Sequence, residues 1–265
     1  MGSNTDINRI YPGRIYEEVD KSNYRDICNR INHIEKILAG NLGAFNCLPT
    51  FGFTMNNIIT LTVGSGTYTP TSGTRAIYVI AQGAGGGGGG ATYAAGQPGV
   101  GGGGSAGGYC EKLITSLSTS YSYVVGAKGT GGSAGNNNGN NGSNTTFSSI
   151  LNANGGNGGG GGEAYSPVTW VSNGLGGGFA TGGDINRYGG RAGICLVAST
   201  SGGGGGNGGA SPFGYGGNGG QNGADGTSPP AYAYGAGGGG ACATPSTNKS
   251  GGNGVDGVII IYEFI

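Results

Sequence analysis

Hydrophobic positions along the chain fall into two patterns, and glycine adds a third. Tyr24, Ile27, Ile31, Ile34 and Leu38 recur at spacings of three and four, with Asp26, Arg30, Glu35 and Lys36 between them. That stripe predicts a short amphipathic α-helix, and Gly40 closes it as a C-terminal cap. From Ile58 onward the pattern changes to β-branched and aromatic runs at 58–63, 75–80, 109–115, 120–125 and 258–264, with 144–151 and 194–198 as shorter candidates. These read as strands. Gly64-Ser65-Gly66 turns after the first, and residues 117–119 join the third and fourth as a further pair. The final run is expected to pair with the early strands and close a small sheet.

The third pattern is glycine itself. Gly126, Gly129, Gly132 and Gly135 stand three residues apart. So do Gly214, Gly217, Gly220, Gly223 and Gly226, and again Gly251, Gly254 and Gly257. Three residues is the turn of a polyproline-II-type helix, and an edge made only of glycine lets another backbone come close. The expected fold is mainly β: a small β-sheet base with a polyglycine-II helix bundle, preceded by a short N-terminal α-helix. Residues 1–57 form the attachment or oligomerisation segment and 58–265 the glycine-rich domain.

Composition alone points toward low complexity, with 69 glycines and 9 prolines in 265 residues. The strands that bracket the glycine runs, and 15 tyrosines, argue for an ordered body instead. Twelve Lys/Arg balance twelve Asp/Glu, and half of each lie in residues 1–40. The nearly uncharged body offers no electrostatic basis for binding nucleic acid or an anionic membrane. The apolar run 258–262 is far too short to cross a bilayer, and Asp6 and Arg9 interrupt any signal-peptide core.

Chemistry-bearing residues are sparse. Cys28, Cys47, Cys110, Cys195 and Cys242 show no C-x-x-C spacing and are expected as buried thiols rather than zinc ligands or disulfides. His33 is the single histidine, and Glu111, Glu163, Asp184, Asp225, Asp256 and Glu263 are scattered singly. Lys128 is followed by Gly129, which breaks a phosphate-loop pattern. The expectation is a protein that is no enzyme and holds no cofactor or metal.

Candidate binding residues lie between the glycine runs, in 91–98, 163–173, 179–188 and 227–234. Tyrosine supplies large contact area at low entropy cost, so Tyr93, Trp170, Tyr188, Tyr232 and Tyr234 are the candidate receptor contacts. Ile27, Ile31, Ile34 and Leu38 are the candidate oligomerisation seam. Isoleucine at both core positions favours three strands, so a homotrimer is one arrangement; docking of the stripe on its own body or on another protein is the other.

The order of motifs resembles the glycine-rich C-terminal domains of bacteriophage tail fibres and, more loosely, the tip adhesins of T-even-type long tail fibres. The residues concerned are SGTRAIYVIAQGAGGGGGG, then GGYCEKLIT, YSYVVGAKGTGG and the terminal GVDGVIIIYEF, over about residues 58–265. Residues 1–57 do not match the attachment domain of those adhesins. The resemblance implies a lattice of polyglycine-II helices whose intervening loops bind a bacterial surface receptor, protein or glycan. It also implies a place in a virion, assembled in the host cytoplasm, with residues 1–57 contacting other tail or virion proteins. The alternative is a structural virion component, a collar, baseplate or capsid fibre that uses the glycine-rich domain as a rigid spacer.

Overall fold

Apolar, largely β-branched runs build the longest strands of the core. The computed structural model describes residues 54–94, 96–164, 170–171, 175–199, 202–244 and 247–265. The predicted helix, with Ile27, Ile31, Ile34 and Leu38, lies outside the described residues. The strands are β1 (Met55–Leu61), β2 (Gly64–Tyr68), β3 (Ala76–Gln82), β4 (Gly99–Val100), β5 (Tyr109–Ile114), β6 (Tyr121–Val125), β7 (Thr145–Phe147) and β8 (Leu151–Ala153). They continue with β9 (Trp170–Val171), β10 (Ala180–Thr181), β11 (Ile185–Arg187), β12 (Cys195–Ser199), β13 (Gly202–Gly204), β14 (Cys242–Ala243) and β15 (Val258–Phe264).

Two five-stranded sheets face one another, in the orders β1-β15-β3-β5-β11 and β10-β8-β7-β6-β2. The terminal strand β15 is antiparallel to both β1 and β3, with Ile261 opposite Ile59 on one side and Val79 on the other. Ile77, Val79 and Ala81 of β3 and Ile259 and Ile261 of β15 meet Tyr121, Phe147, Leu151 and Ala153 of the second sheet in one buried cluster. At its centre Tyr121 and Phe147 stack at 4.9 Å, with Tyr68 at 6.0 Å from Tyr121. Burying several such rings and branched side chains contributes roughly 1.5–3 kcal/mol each.

Two strand expectations are corrected. Residues 109–125 do not form a hairpin: β5 pairs with β3 and β11, whereas β6 pairs with β2 and β7 in the other sheet. The step between sheets lets Ile114 and Tyr121 enter the shared core from opposite sides. The stretch 144–151 is two strands, β7 and β8, joined by a turn in which Ser148 has φ of 49°. The short strands β4, β9, β10, β11, β13 and β14 have no counterpart among the expected runs, nor has β2, where Gly64, Ser65 and Gly66 look like a turn but pair with Val125, Val124 and Tyr123.

The glycine runs extend from this sandwich. In the run 83–91, Gly83, Gly86 and Gly89 donate to the carbonyls of Gly108, Ser105 and Gly102. Ala84, Gly87 and Gly90 donate to Ser143, Asn140 and Asn137, and Gly85, Gly88 and Ala91 to Val255, Gly252 and Lys249. Carbonyls of the same run accept from three further segments: Gly85 from Gly129, Gly87 from Gly159, and Gly86 from Gly238. One stretch of backbone is thus enclosed by six others. A Cβ built on Gly88 would lie 2.0 Å from the Gly239 carbonyl oxygen, and one on Gly87 2.1 Å from that of Thr130.

The polyglycine-II helix bundle read from the sequence is therefore corrected. Among the described residues there are strands and no helix of any kind. The runs at 126–135, 214–226 and 251–257 are main-chain segments bonded sideways to their neighbours. The three-residue spacing of glycine marks the interval at which the same neighbour returns, as in the run 83–91. Strand pairing has a two-residue interval and serves two neighbours; here every residue in the period meets a backbone.

Candidate functional site

Most inward positions along the glycine runs are occupied by carbonyls, which leaves the outward edges to bulky side chains. In the segment 214–221, a Cβ on Gly216 would meet the Gly208 carbonyl oxygen at 2.1 Å and one on Gly217 that of Thr227 at 1.9 Å. Tyr215 and Asn218, three residues apart, take the open edge. Tyr215 is 87% exposed, the largest exposure among the bulky apolar side chains described. Tyr188, just beyond β11, is 79% exposed and Tyr232 72%.

Tyr232 belongs to a loop that two consecutive prolines, Pro229 and Pro230, make stiff. The Ala233 amide donates to the Pro230 carbonyl and the Ala236 amide to the Ala233 carbonyl, which locks the turn. Ala233 is buried, so its neighbour Tyr232 projects into solvent. Tyr215, Tyr232, Asn218 and Pro230, with Gly214 and Gly216, line one cleft of about 550 Å³. That volume lies in the range of small-ligand sites, roughly 300–1,000 Å³. No charged side chain lines it.

The sequence candidates do not form one group. Tyr188 and Tyr232 stand exposed. Tyr234 packs edge-on to Phe213 at 5.9 Å, and Phe213 in turn lies 6.3 Å from Tyr109. Tyr93 packs against the buried Ala91, Ala241 and Ala243, with its amide donating to the Asn248 side chain. The backbone of Trp170 pairs with Leu196 in β12; its side chain lies outside the described residues. Tyr215 was missed. Its signal was present, since a ring inside an otherwise glycine-bounded run has only the outside to occupy.

Ionisable groups are engaged in the fold. Glu263 is buried in β15 and accepts hydrogen bonds from the Tyr68 hydroxyl at 2.6 Å and the Thr71 amide at 2.8 Å. Burial alone would push its carboxyl up, but those hydrogen bonds prevail and hold it below the usual carboxylate range. The Tyr68 phenol is pushed strongly up by burial and by that same carboxylate. The Asp184 carboxyl is held low by the Leu113 amide and by the Lys112 ammonium at 3.0 Å, an ion pair that ties the approach to β11 onto β5. Burial pushes the Cys110 thiol up to about 11 and raises that of Cys242. Among the described residues, no three His, Cys, Asp or Glu side chains are grouped to hold a metal ion, and no helix is long and apolar enough to cross a membrane.

The receptor-binding mechanism expected from the sequence is corrected with the fold. It requires loops strung between polyglycine-II helices, and the described residues contain no helix. The rigid-spacer alternative relied on the same bundle and falls with it. A family model described as a glycine-rich domain matches residues 60–263. No curated protein matches the chain.

Proposed function

Since the chain belongs to the glycine-rich domain family, we propose that it is a non-enzymatic display domain, a stiff scaffold that presents tyrosines to a macromolecular partner. The observation that carries this reading is the placement of Tyr188, Tyr215 and Tyr232: three rings stand largely in solvent on a body whose interior is chiefly main chain. Solvent-exposed aromatic rings on rigid supports are the anchors that dominate binding surfaces. The most deeply placed carboxylate, Glu263, serves the fold through Tyr68 and Thr71, which favours a scaffold over a catalyst. Closer kinship to the glycine-rich domains of bacteriophage tail fibres is part of this proposal. It is supported by the order of the motifs that form β3, β5, β6 and β15.

The test compares the purified full chain with the variant carrying Tyr188→Ala, Tyr215→Ala and Tyr232→Ala. Both are passed over immobilised panels of proteins and polysaccharides, and both are melted. Retention by the parent, lost in the triple variant at unchanged melting temperature, is the expected result. Retention that survives the three substitutions overturns the proposal, and so does retention that disappears only along with the fold.

A further inference from the structure

The geometry of the Tyr215–Tyr232 cleft points to a neutral saccharide as its ligand, an inference that rests on the display reading above. Three observations carry it. The first is the pairing of two exposed phenol rings about one open cleft. The carbon-bound hydrogens on one face of a pyranose carry partial positive charge and stack on the electron-rich face of an aromatic ring, as other aromatic contacts follow the ring quadrupole. A flat ring on a stiff backbone suits such a ligand, because little rotamer freedom is lost on contact.

The second observation is how asparagine is used elsewhere. Asn141, Asn138, Asn207, Asn253 and Asn144 accept from the backbone amides of Gly158, Gly161, Gly219, Gly131 and Gly155, completing the hydrogen bonding of the glycine body. At Asn218 that work is done by others: its amide and carbonyl bond to Thr227, and its carboxamide bonds to none of the described residues. It lines the cleft with one acceptor and two donor positions available. A carboxamide matches the vicinal hydroxyls of a sugar, each of which both donates and accepts.

The third observation is charge. The lining holds no Lys, Arg, Asp or Glu, so nothing in it would balance a uronate, sulfate or phosphate. The hydroxyls of Tyr215 and Tyr232 add two further neutral polar groups at the rim.

The experiment titrates the full chain with hexasaccharides of glucose, mannose and galactose, and with a hexamer of galacturonate as the charged control. Binding is read by calorimetry and by transfer of saturation from the aromatic protons to the sugar. At least one neutral hexamer is expected to bind with Kd below 1 mM, a level on the order of −4 kcal/mol. Tyr215→Ala and Tyr232→Ala should each weaken it at least about tenfold and Asn218→Ala several-fold. Failure of all three neutral hexamers overturns the inference; so does stronger binding of galacturonate, or binding indifferent to Tyr215→Ala. If the chain is retained by an immobilised protein through Tyr215 and Tyr232 but binds no hexamer, the saccharide inference falls and the display reading stands. If no hexamer binds and retention survives the loss of Tyr188, Tyr215 and Tyr232 together, both fall.

Discussion

The sandwich and the glycine body are held together in opposite ways. Between the two sheets, side chains make the core: Phe147, Leu151, Ile77 and Ile261 are fully enclosed and interlock. In the glycine body the main chain makes the core, and its contacts are amide-to-carbonyl bonds between runs such as Gly88 to Gly252 and Gly104 to Gly238. The first kind of core is harmed chiefly by taking atoms away and the second by adding them. A domain containing both has two independent failure modes, and mutation can address them separately.

The largest effect is expected from Gly88→Val. Its Cβ would sit 2.0 Å from the Gly239 carbonyl oxygen, and no flexible side chain is there to yield. A loss above about 4 kcal/mol, the upper end for single substitutions, should appear in chemical denaturation or as failure to fold. Gly204→Ala is its control: nothing lies within 4 Å of that Cβ, and the change should stay within about 0.5 kcal/mol. Equal losses in the two would erase the contrast between the cores.

Phe147→Ala comes next. It removes a fully buried ring stacked on Tyr121 and should cost about 3–5 kcal/mol. If hydrogen exchange in this variant rises around β6 and β7 while the amides of Gly87 and Gly90 stay protected, the two cores open separately. Uniform loss of protection would show one cooperative unit.

A smaller effect with a pH signature is expected at Glu263→Gln. The folded carboxyl lies below its ordinary value, so the stability it confers is present above the unfolded pKa of about 4.3 and is lost as pH falls through the folded value. The variant should be less stable than the parent by about 1–3 kcal/mol at pH 7, the cost of disturbing a buried hydrogen-bonded group. The gap should narrow at pH 3. A gap that widens on acidification contradicts the assignment. Smallest of all is Tyr188→Ala, at a ring 79% exposed: melting should not move by more than about 1 °C, as for a surface change under 0.5 kcal/mol.

The same contrast explains what could be read from the sequence. The sandwich strands were legible as nearly continuous β-branched and aromatic runs, as in Ile77 to Ala81 and Val258 to Phe264. β2 was not, since its Gly64-Ser65-Gly66 carries no such pattern and is defined by its partner β6. The assignment of β5 and β6 to different sheets also depends on distant partners. In the glycine body the spacing of three was visible, yet it does not say what lies between the glycines. A helical turn has the same interval, but here the interval records the return of a neighbouring segment. For the binding surface, Tyr232 was legible as an aromatic in a proline-rich loop. Tyr234, two residues on, looks equivalent in sequence and is distinguished by Phe213 beneath it. Tyr215 was hidden by being counted with the glycines around it.

The enclosure of the run 83–91 by six others has a thermal consequence. Unfolding this body uncovers peptide groups far more than hydrocarbon. Exposed apolar surface raises the heat capacity of unfolding and exposed polar surface lowers it, by about +0.45 and −0.26 cal/K/mol/Å². The increment per residue should therefore fall below the roughly 12–15 cal/mol/K of ordinary domains. A small increment flattens the curve of stability against temperature, so that cold weakens the fold little and warmth erodes it slowly. Scanning calorimetry at several pH values would read this directly from the slope of enthalpy on melting temperature. The glycines that exclude side chains from the interior thereby broaden the range of temperature over which the tyrosines above them are held in place.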